Sequence, residues 1–131
     1  MTTLRAPCPR GIYLLVDPDV LDPARWSEVL PQVLRAGLAL VQLRAKNCDA
    51  RTKTQLAHKL QNLCAVNATP LLINDDVDLA TRIGAQGVHL GQGDGSVAEA
   101  RDRLGAHALI GRTCHNSMDL VRDAITDGAD Y

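Results

Sequence analysis

Phenylalanine is absent from this sequence, and 131 residues hold only one Trp and two Tyr. An RNA-stacking sheet depends on exposed aromatic platforms, so that class falls away. Charge of one sign is lacking too: 14 Lys and Arg stand against 15 Asp and Glu, for a net charge of −1. Without a basic stripe to follow a phosphate backbone, nucleic acid is not expected as a partner. The apolar runs fall far short of the ~20 residues that span a bilayer. The opening "MTTLRAPCPRG" has no apolar secretory core, so no membrane association and a cytoplasmic location are expected. Cys8, Cys48, Cys64 and Cys114 are widely spaced with no C-x-x-C pair, which argues against a zinc site and a disulfide framework.

What the chain does contain is ordinary for a globular protein: 46% hydrophobic and 22% charged residues. One domain over residues 1–131, or part of one, is expected, because a chain near this size buries roughly two-thirds of its unfolded surface. Apolar strands and amphipathic helices alternate along it. "GIYLLVD" reads as a strand, and "PARWSEVLPQVLRAG" as a helix that Pro31 should kink or break. "LALVQLR" is a second strand, followed by a helix capped by Asp49 with Leu56, Leu60, Leu63 and Cys64 on one face. "PLLIN", "GVHLG" and "ALIGRT" are further strands, each followed by a helix, the last capped by Asn116. The closing "ADY" reads as the opening of a sixth strand.

Five such βα units imply a parallel sheet, either doubly wound or a (β/α)8 barrel. A dinucleotide fold should carry G-x-G-x-x-G after its first strand, and "YLLVDPDVLDPARW" has no glycine. "LGQGDGS" fits neither that motif nor a Walker loop.

In such folds ligands lie beyond the carboxyl ends of the strands. Asp17, then Gln42, Arg44 and Lys46, then Asn74 and Asp75, Gln92 and Asp94, and finally Thr113, Cys114 and His115 stand there. Gln42, Arg44 and Lys46 recur at period two and so share one side, offering an amide, a guanidinium and an ammonium to one ligand. Arg suits bidentate phosphate contact and Lys adds a compact charge, although both also serve as solvated charges at a strand end. Asp75 and Asp94 are hard oxygen donors from adjacent strands, and Mg²⁺ is typically held by one or two carboxylates plus substrate phosphates. Asp76 and Asp78 are better explained as first-turn acids of the next helix. His89 is expected as a core histidine facing either the barrel interior or the strand–helix layer. His58 and His107 read as surface residues.

The strings "VQLRAK", "LLINDDVDLATRIGAQGVHLGQGD", "IGRTCHN" and "DGADY" together resemble the thiamine-phosphate synthase family of (β/α)8 TIM barrels, from about Ile12 onward. The resemblance implies condensation of 4-amino-2-methyl-5-(diphosphooxymethyl)pyrimidine with a thiazole phosphate, releasing pyrophosphate with Mg²⁺. It implies that Gln42, Leu43, Arg44, Ala45 and Lys46 form the segment binding the pyrimidine diphosphate, with Arg44 and Lys46 catalytic. Asn74 and Thr113 match further contacts to that substrate, Thr113 standing where the family usually has Ser. Asp75 and Asp94 match the magnesium ligands. Asp76, Gly93, Arg112 and Cys114 depart from the usual pattern without removing an assigned ligand.

A full barrel exceeds 200 residues, so a barrel truncated after about five βα units is expected. The family's segments beyond strand six are absent from this sequence. The expectation is weak binding of Mg–diphosphate without turnover by this chain alone. The related thiazole tautomerase, with His115 as acid/base, is an alternative. So is an inactive binding or assembly module that forms a homo-oligomer through the open barrel edge.

Overall fold

The computed structural model describes residues 5–131. Five strands, β1 (Tyr13–Val16), β2 (Leu40–Leu43), β3 (Leu71–Asn74), β4 (Gly87–Leu90) and β5 (Leu109–Arg112), alternate with five helices. The helices are α1 (Trp26–Arg35), α2 (Ala50–Ala65), α3 (Val77–Ile83), α4 (Val97–Leu104) and α5 (Met118–Thr126), and a short 3-10 turn at Pro23–Arg25 leads into α1.

All neighbouring strands are parallel, and their order in the sheet is their order in the chain. Every crossover therefore steps the same way, and crossovers of one hand then lay all helices on one face. A doubly wound sheet reverses its strand order partway; this one does not, and winds as a TIM barrel does. The helix-facing side chains Val16, Val41, Leu43, Leu71, Ile73, Val88, Leu90 and Ile110 belong to one buried cluster with Trp26, Leu30, Leu60, Leu79 and Val97. The register places Leu15, Gln42 and Leu72 side by side on the opposite face, with Asn74, His89 and Gly111 forming the next row. That face is the inner wall of the curved sheet.

Three local expectations are corrected. α1 runs through Pro31 without a break. The carbonyl that loses its donor belongs to exposed Ser27 in the first turn, where water can satisfy it. α5 is capped by Ser117, which accepts from Leu120 N at 3.3 Å, because the preceding turn, closed by Ser117 N–H donating to Cys114 O at 3.1 Å, consumes Asn116. Residues 129–131 do not form a strand, yet they pair with β5. Asp130 N–H donates to Ile110 O at 2.8 Å and Arg112 N–H to Tyr131 O at 3.0 Å, two rungs of a ladder too short to count as one.

Arg101 fixes that segment by donating to Ala108 O, to Gly128 O at 3.0 Å and to Asp130 Oδ2 at 2.8 Å. The edges of the sheet leave apolar surface uncovered: Ile12, Leu15, Met118 and Ile125 are 52–70% exposed. All four cysteines are free. No helix among the described residues is long and apolar enough to cross a membrane.

Candidate functional site

The two clusters of acids after β3 and β4 separate into distinct jobs. Asp76 caps α3, its Oδ1 accepting from Leu79 N at 2.8 Å. Asp78 is exposed and pairs with Arg103 of α4. Asp75 alone adopts a left-handed backbone, φ 65°, its N–H donating to His89 O at 2.9 Å. This turns its side chain away from the helix and into the cavity on the inner wall.

Asp94 reaches the same cavity from the loop after β4. Its Oδ2 accepts from Gly91 N at 2.8 Å, and a Cβ on Gly91 would meet that oxygen at 2.7 Å, so glycine allows the fold-back. Arg112 holds both ends of this loop, donating to Gly91 O at 3.0 Å and Gly95 O at 2.7 Å. Arg112, which departs from the family pattern, thus has a structural task that its sequence position did not reveal.

The cavity, ≈ 430 Å³, gathers Gln42, Arg44 and Lys46 with Asn74 and Asp75, and with Asp94, His89, Thr113 and His115. Residues from the ends of four strands therefore converge. Arg44 lies 2.9 Å from Asp17 and Lys46 lies 3.5 Å from Asp75. Side-chain alternation persists past the end of β2, with Leu43 and Ala45 buried in the helix-facing layer. The Leu43 and Ala45 side chains therefore point away from the cavity, and only their backbone is available on that side. Gln92 binds Thr113 O at 2.6 Å and Cys114 lies outside the cavity lining. His58 and His107 are exposed, as expected.

Electrostatics single out the acid pair. Burial raises the Asp75 carboxyl above its ordinary range, and the hydrogen bond and charge of Asp94 add to that, while Lys46 opposes. Two carboxylates near enough to share a proton are a site at which a cation relieves repulsion. Among the described residues no cluster of three or more His, Cys, Asp or Glu forms a cage. Two carboxylates beside open space suit Mg²⁺, which keeps waters and phosphate oxygens in its shell.

The sequence offered His89 for the barrel interior, but not the two tyrosines that join it. Tyr13, from β1, donates to or accepts from Tyr131 at 2.6 Å, and their rings meet edge to face at 5.5 Å. Gln42 Nε2 donates to Tyr13 Oη at 2.7 Å, and His89 bridges Tyr131 Oη at 3.2 Å and Thr113 Oγ1 at 2.7 Å. Burial lowers the His89 pKa, with the charges of Asp75 and Asp94 opposing, and raises those of both tyrosines. The period-two parity that exposed Gln42 and Arg44 also puts Tyr13 on the inner face, which was the available signal.

A family model described as thiamine monophosphate synthase matches residues 12–131. The thiamine-phosphate synthase of Chromobacterium violaceum is 46% identical over 121 residues, 92% of this chain and 58% of that protein. That of Marinobacter nauticus is 46% identical over 132 residues, 100% of this chain and 59% of that protein. A solved thiamine phosphate pyrophosphorylase from Pyrococcus furiosus superposes with a TM-score of 0.76 at 26% identity, over 91% of this chain and 57% of that one. The chain thus spans a little over half the length of the relatives it matches, 53–59% of the four curated ones.

Proposed function

The chain belongs to the thiamine monophosphate synthase family, and from that premise we propose that its cavity is the pyrimidine-diphosphate half of a thiamine-phosphate synthase site. The reaction joins 4-amino-2-methyl-5-(diphosphooxymethyl)pyrimidine to a thiazole phosphate and releases pyrophosphate. The observation that carries the reading is the pairing of Asp75 and Asp94 from neighbouring strand ends, facing Arg44 and Lys46 across one cavity.

In this reading the bond between the pyrimidine methylene and the diphosphate oxygen breaks first, the oxygen keeping the electron pair. The thiazole nitrogen lone pair then captures the methylene cation. Such a step needs a stabilised leaving group more than a base, and no side-chain nucleophile. Arg44 and Lys46 supply fixed positive charge to the departing oxygens in a partly enclosed site. Asp75 and Asp94 would hold Mg²⁺, which when bound adds Lewis-acid stabilisation of the diphosphate. Asn74, Gln42 and Thr113 orient the pyrimidine. Asp17, bonded to Arg44, keeps the guanidinium aimed rather than free to swing.

The test is calorimetric titration of the full chain with pyrophosphate, with and without Mg²⁺. Pyrophosphate binding that requires Mg²⁺ and fails in Asp94→Asn supports the assignment; Mg²⁺-independent binding refutes it. The same proposal places the chain in the cytoplasm, on its four free thiols. It also assigns self-association to the uncovered edge at Ile12 and Leu15, which sedimentation equilibrium would detect as a concentration-dependent mass.

A further inference from the structure

Five side chains on the inner wall form one unbroken hydrogen-bonded chain, Gln42–Tyr13–Tyr131–His89–Thr113, with links of 2.7, 2.6, 3.2 and 2.7 Å. Its two ends, Gln42 and Thr113, line the cavity on opposite sides of His89. The three middle members have no assigned part in the reaction. Their geometry is nonetheless specific. A Cβ on Gly111 would sit 2.3 Å from Tyr131 Cζ and 2.6 Å from His89 Nδ1, so the contact between them exists only because that position is glycine.

Keeping every hydroxyl hydrogen inside the chain sets its direction. Tyr13 Oη can accept from both Gln42 Nε2 and Tyr131, but in the arrangement that leaves no hydroxyl hydrogen outside, Gln42 Nε2 donates to Tyr13 and the Tyr13 hydroxyl donates to Tyr131. The Tyr131 hydrogen then goes to His89 Nδ1. A neutral imidazole that accepts at Nδ1 carries its hydrogen on Nε2, and donates it to Thr113 Oγ1. Three groups are left over for a ligand: the Gln42 carbonyl oxygen, which has no hydrogen-bond partner among the described residues, the second Gln42 amide hydrogen, and the Thr113 hydroxyl hydrogen. Running the chain backwards with every hydroxyl hydrogen still inside it requires turning over the Gln42 amide, and Thr113 then offers only an acceptor. The two ends cannot switch independently.

We infer that Tyr13, Tyr131 and His89 are positioning residues that lock the hydrogen-bond polarity of the cavity, pairing an acceptor at Gln42 with a donor at Thr113. This inference rests on the substrate reading above and deepens it. The chain selects a heteroaromatic ring that presents a donor to Gln42 and an acceptor to Thr113, as an aminopyrimidine does with its exocyclic amine and ring nitrogen. A 4-oxopyrimidine of the same shape exchanges donor for acceptor on that edge. It would leave the Gln42 oxygen facing another oxygen.

The experiment uses the full chain in two readouts. Side-chain ¹⁵N NMR reports which His89 nitrogen carries the hydrogen. Titration with the Mg²⁺ complexes of the 4-aminopyrimidine diphosphate and its 4-oxo counterpart reports selectivity. The wild-type protein should show the Nε2–H tautomer alone and prefer the amino ligand by roughly tenfold or more, the scale set by one mismatched buried hydrogen bond. Tyr131→Phe, which breaks the chain at its centre, should mix the His89 tautomers and shrink that preference to a few-fold. Tyr13→Phe breaks the next link and should do the same.

A single tautomer and full selectivity in both variants would overturn the inference. So would an Nδ1–H tautomer in the wild type. Wild-type protein that binds neither pyrimidine would overturn the substrate assignment, while the tautomer of His89 would still decide the direction of the chain.

Discussion

Replacing Asp75 with Asn should push stability and metal affinity in opposite directions. Asn keeps the shape of the side chain and tolerates the left-handed backbone, φ 65°, that Asp75 adopts, so the change is nearly one of charge alone. Two like charges 4 Å apart repel by roughly 4 kcal/mol at an effective dielectric of 20, and solvent at the half-open cavity reduces this further. The partner that Asp75 loses, Lys46 at 3.5 Å, is 52% exposed. An ion pair of that kind is worth at most about 1 kcal/mol. The balance favours Asn in the metal-free protein, by about 1 kcal/mol, or about 4 °C in Tm for a chain of this size. With Mg²⁺ and pyrophosphate the sign reverses, because one of two carboxylate ligands is gone: affinity should fall at least about tenfold, or 1.4 kcal/mol. Thermal unfolding in EDTA and calorimetric titration with pyrophosphate and Mg²⁺ read the two effects separately. Asp75→Ala provides contrast, since Ala in a left-handed conformation costs roughly 1–2 kcal/mol and should cancel the gain. Lower stability for Asp75→Asn, or unchanged Mg²⁺-dependent affinity, would refute the acid-pair assignment.

Acidification should destabilise the fold through His89, whose folded pKa burial depresses below its ordinary value near 6.5. Its contribution is fully present above pH ~6.5 and is lost as pH falls through the depressed pKa. The raised pKa of Asp75 works with the opposite sign, so the comparison that counts is urea unfolding of wild type against His89→Gln, where the acid-side loss should flatten. Gly87→Ala should cost far more than the ~1 kcal/mol of a typical substitution, because a Cβ there would meet the backbone oxygen of Leu109 at 1.7 Å. Urea midpoints within error of wild type would mean β4 and β5 are not packed as described. Arg101→Ala should cost about 2 kcal/mol, because Asp130, 14% exposed, loses its 2.8 Å partner and keeps only Arg5 at 3.5 Å and the Ile110 N–H at 2.8 Å. It should also release residues 128–131, seen as faster amide exchange at Asp130.

The fold was legible because its signals are local and repeated. Helical spacing, glycine stops such as Gly84 and caps such as Asp49 and Ser96 each act within a few residues. Period-two spacing likewise suffices to bring Gln42, Arg44 and Lys46 to one wall. What stayed hidden depends on distance along the chain. Nothing near Tyr13 announces Tyr131, 118 positions away. Arg112 looked like an unexplained change because its partners, Gly91 O and Gly95 O, are backbone atoms that any sequence would supply. Caps misplaced by one residue, as at Asn116, turn on a left-handed His115 that no residue preference announces.

Among the described residues, three non-glycines have positive φ: Ala68, Asp75 and His115. Two of them line the cavity, each just past the end of a strand. Left-handed backbone at a residue with a side chain is unfavourable, and a half-buried pair of carboxylates adds repulsion to it at Asp75. Neither cost stabilises the free protein. Asp76 and Ser117 show what the same loops do when stability alone is at issue, since each caps its helix with ordinary geometry. Strain and like charge thus gather where the strand ends face the cavity and are absent one or two residues later. A bound cation and a diphosphate would relieve the charge part of that cost, which makes the free protein the strained partner and binding the event that settles it.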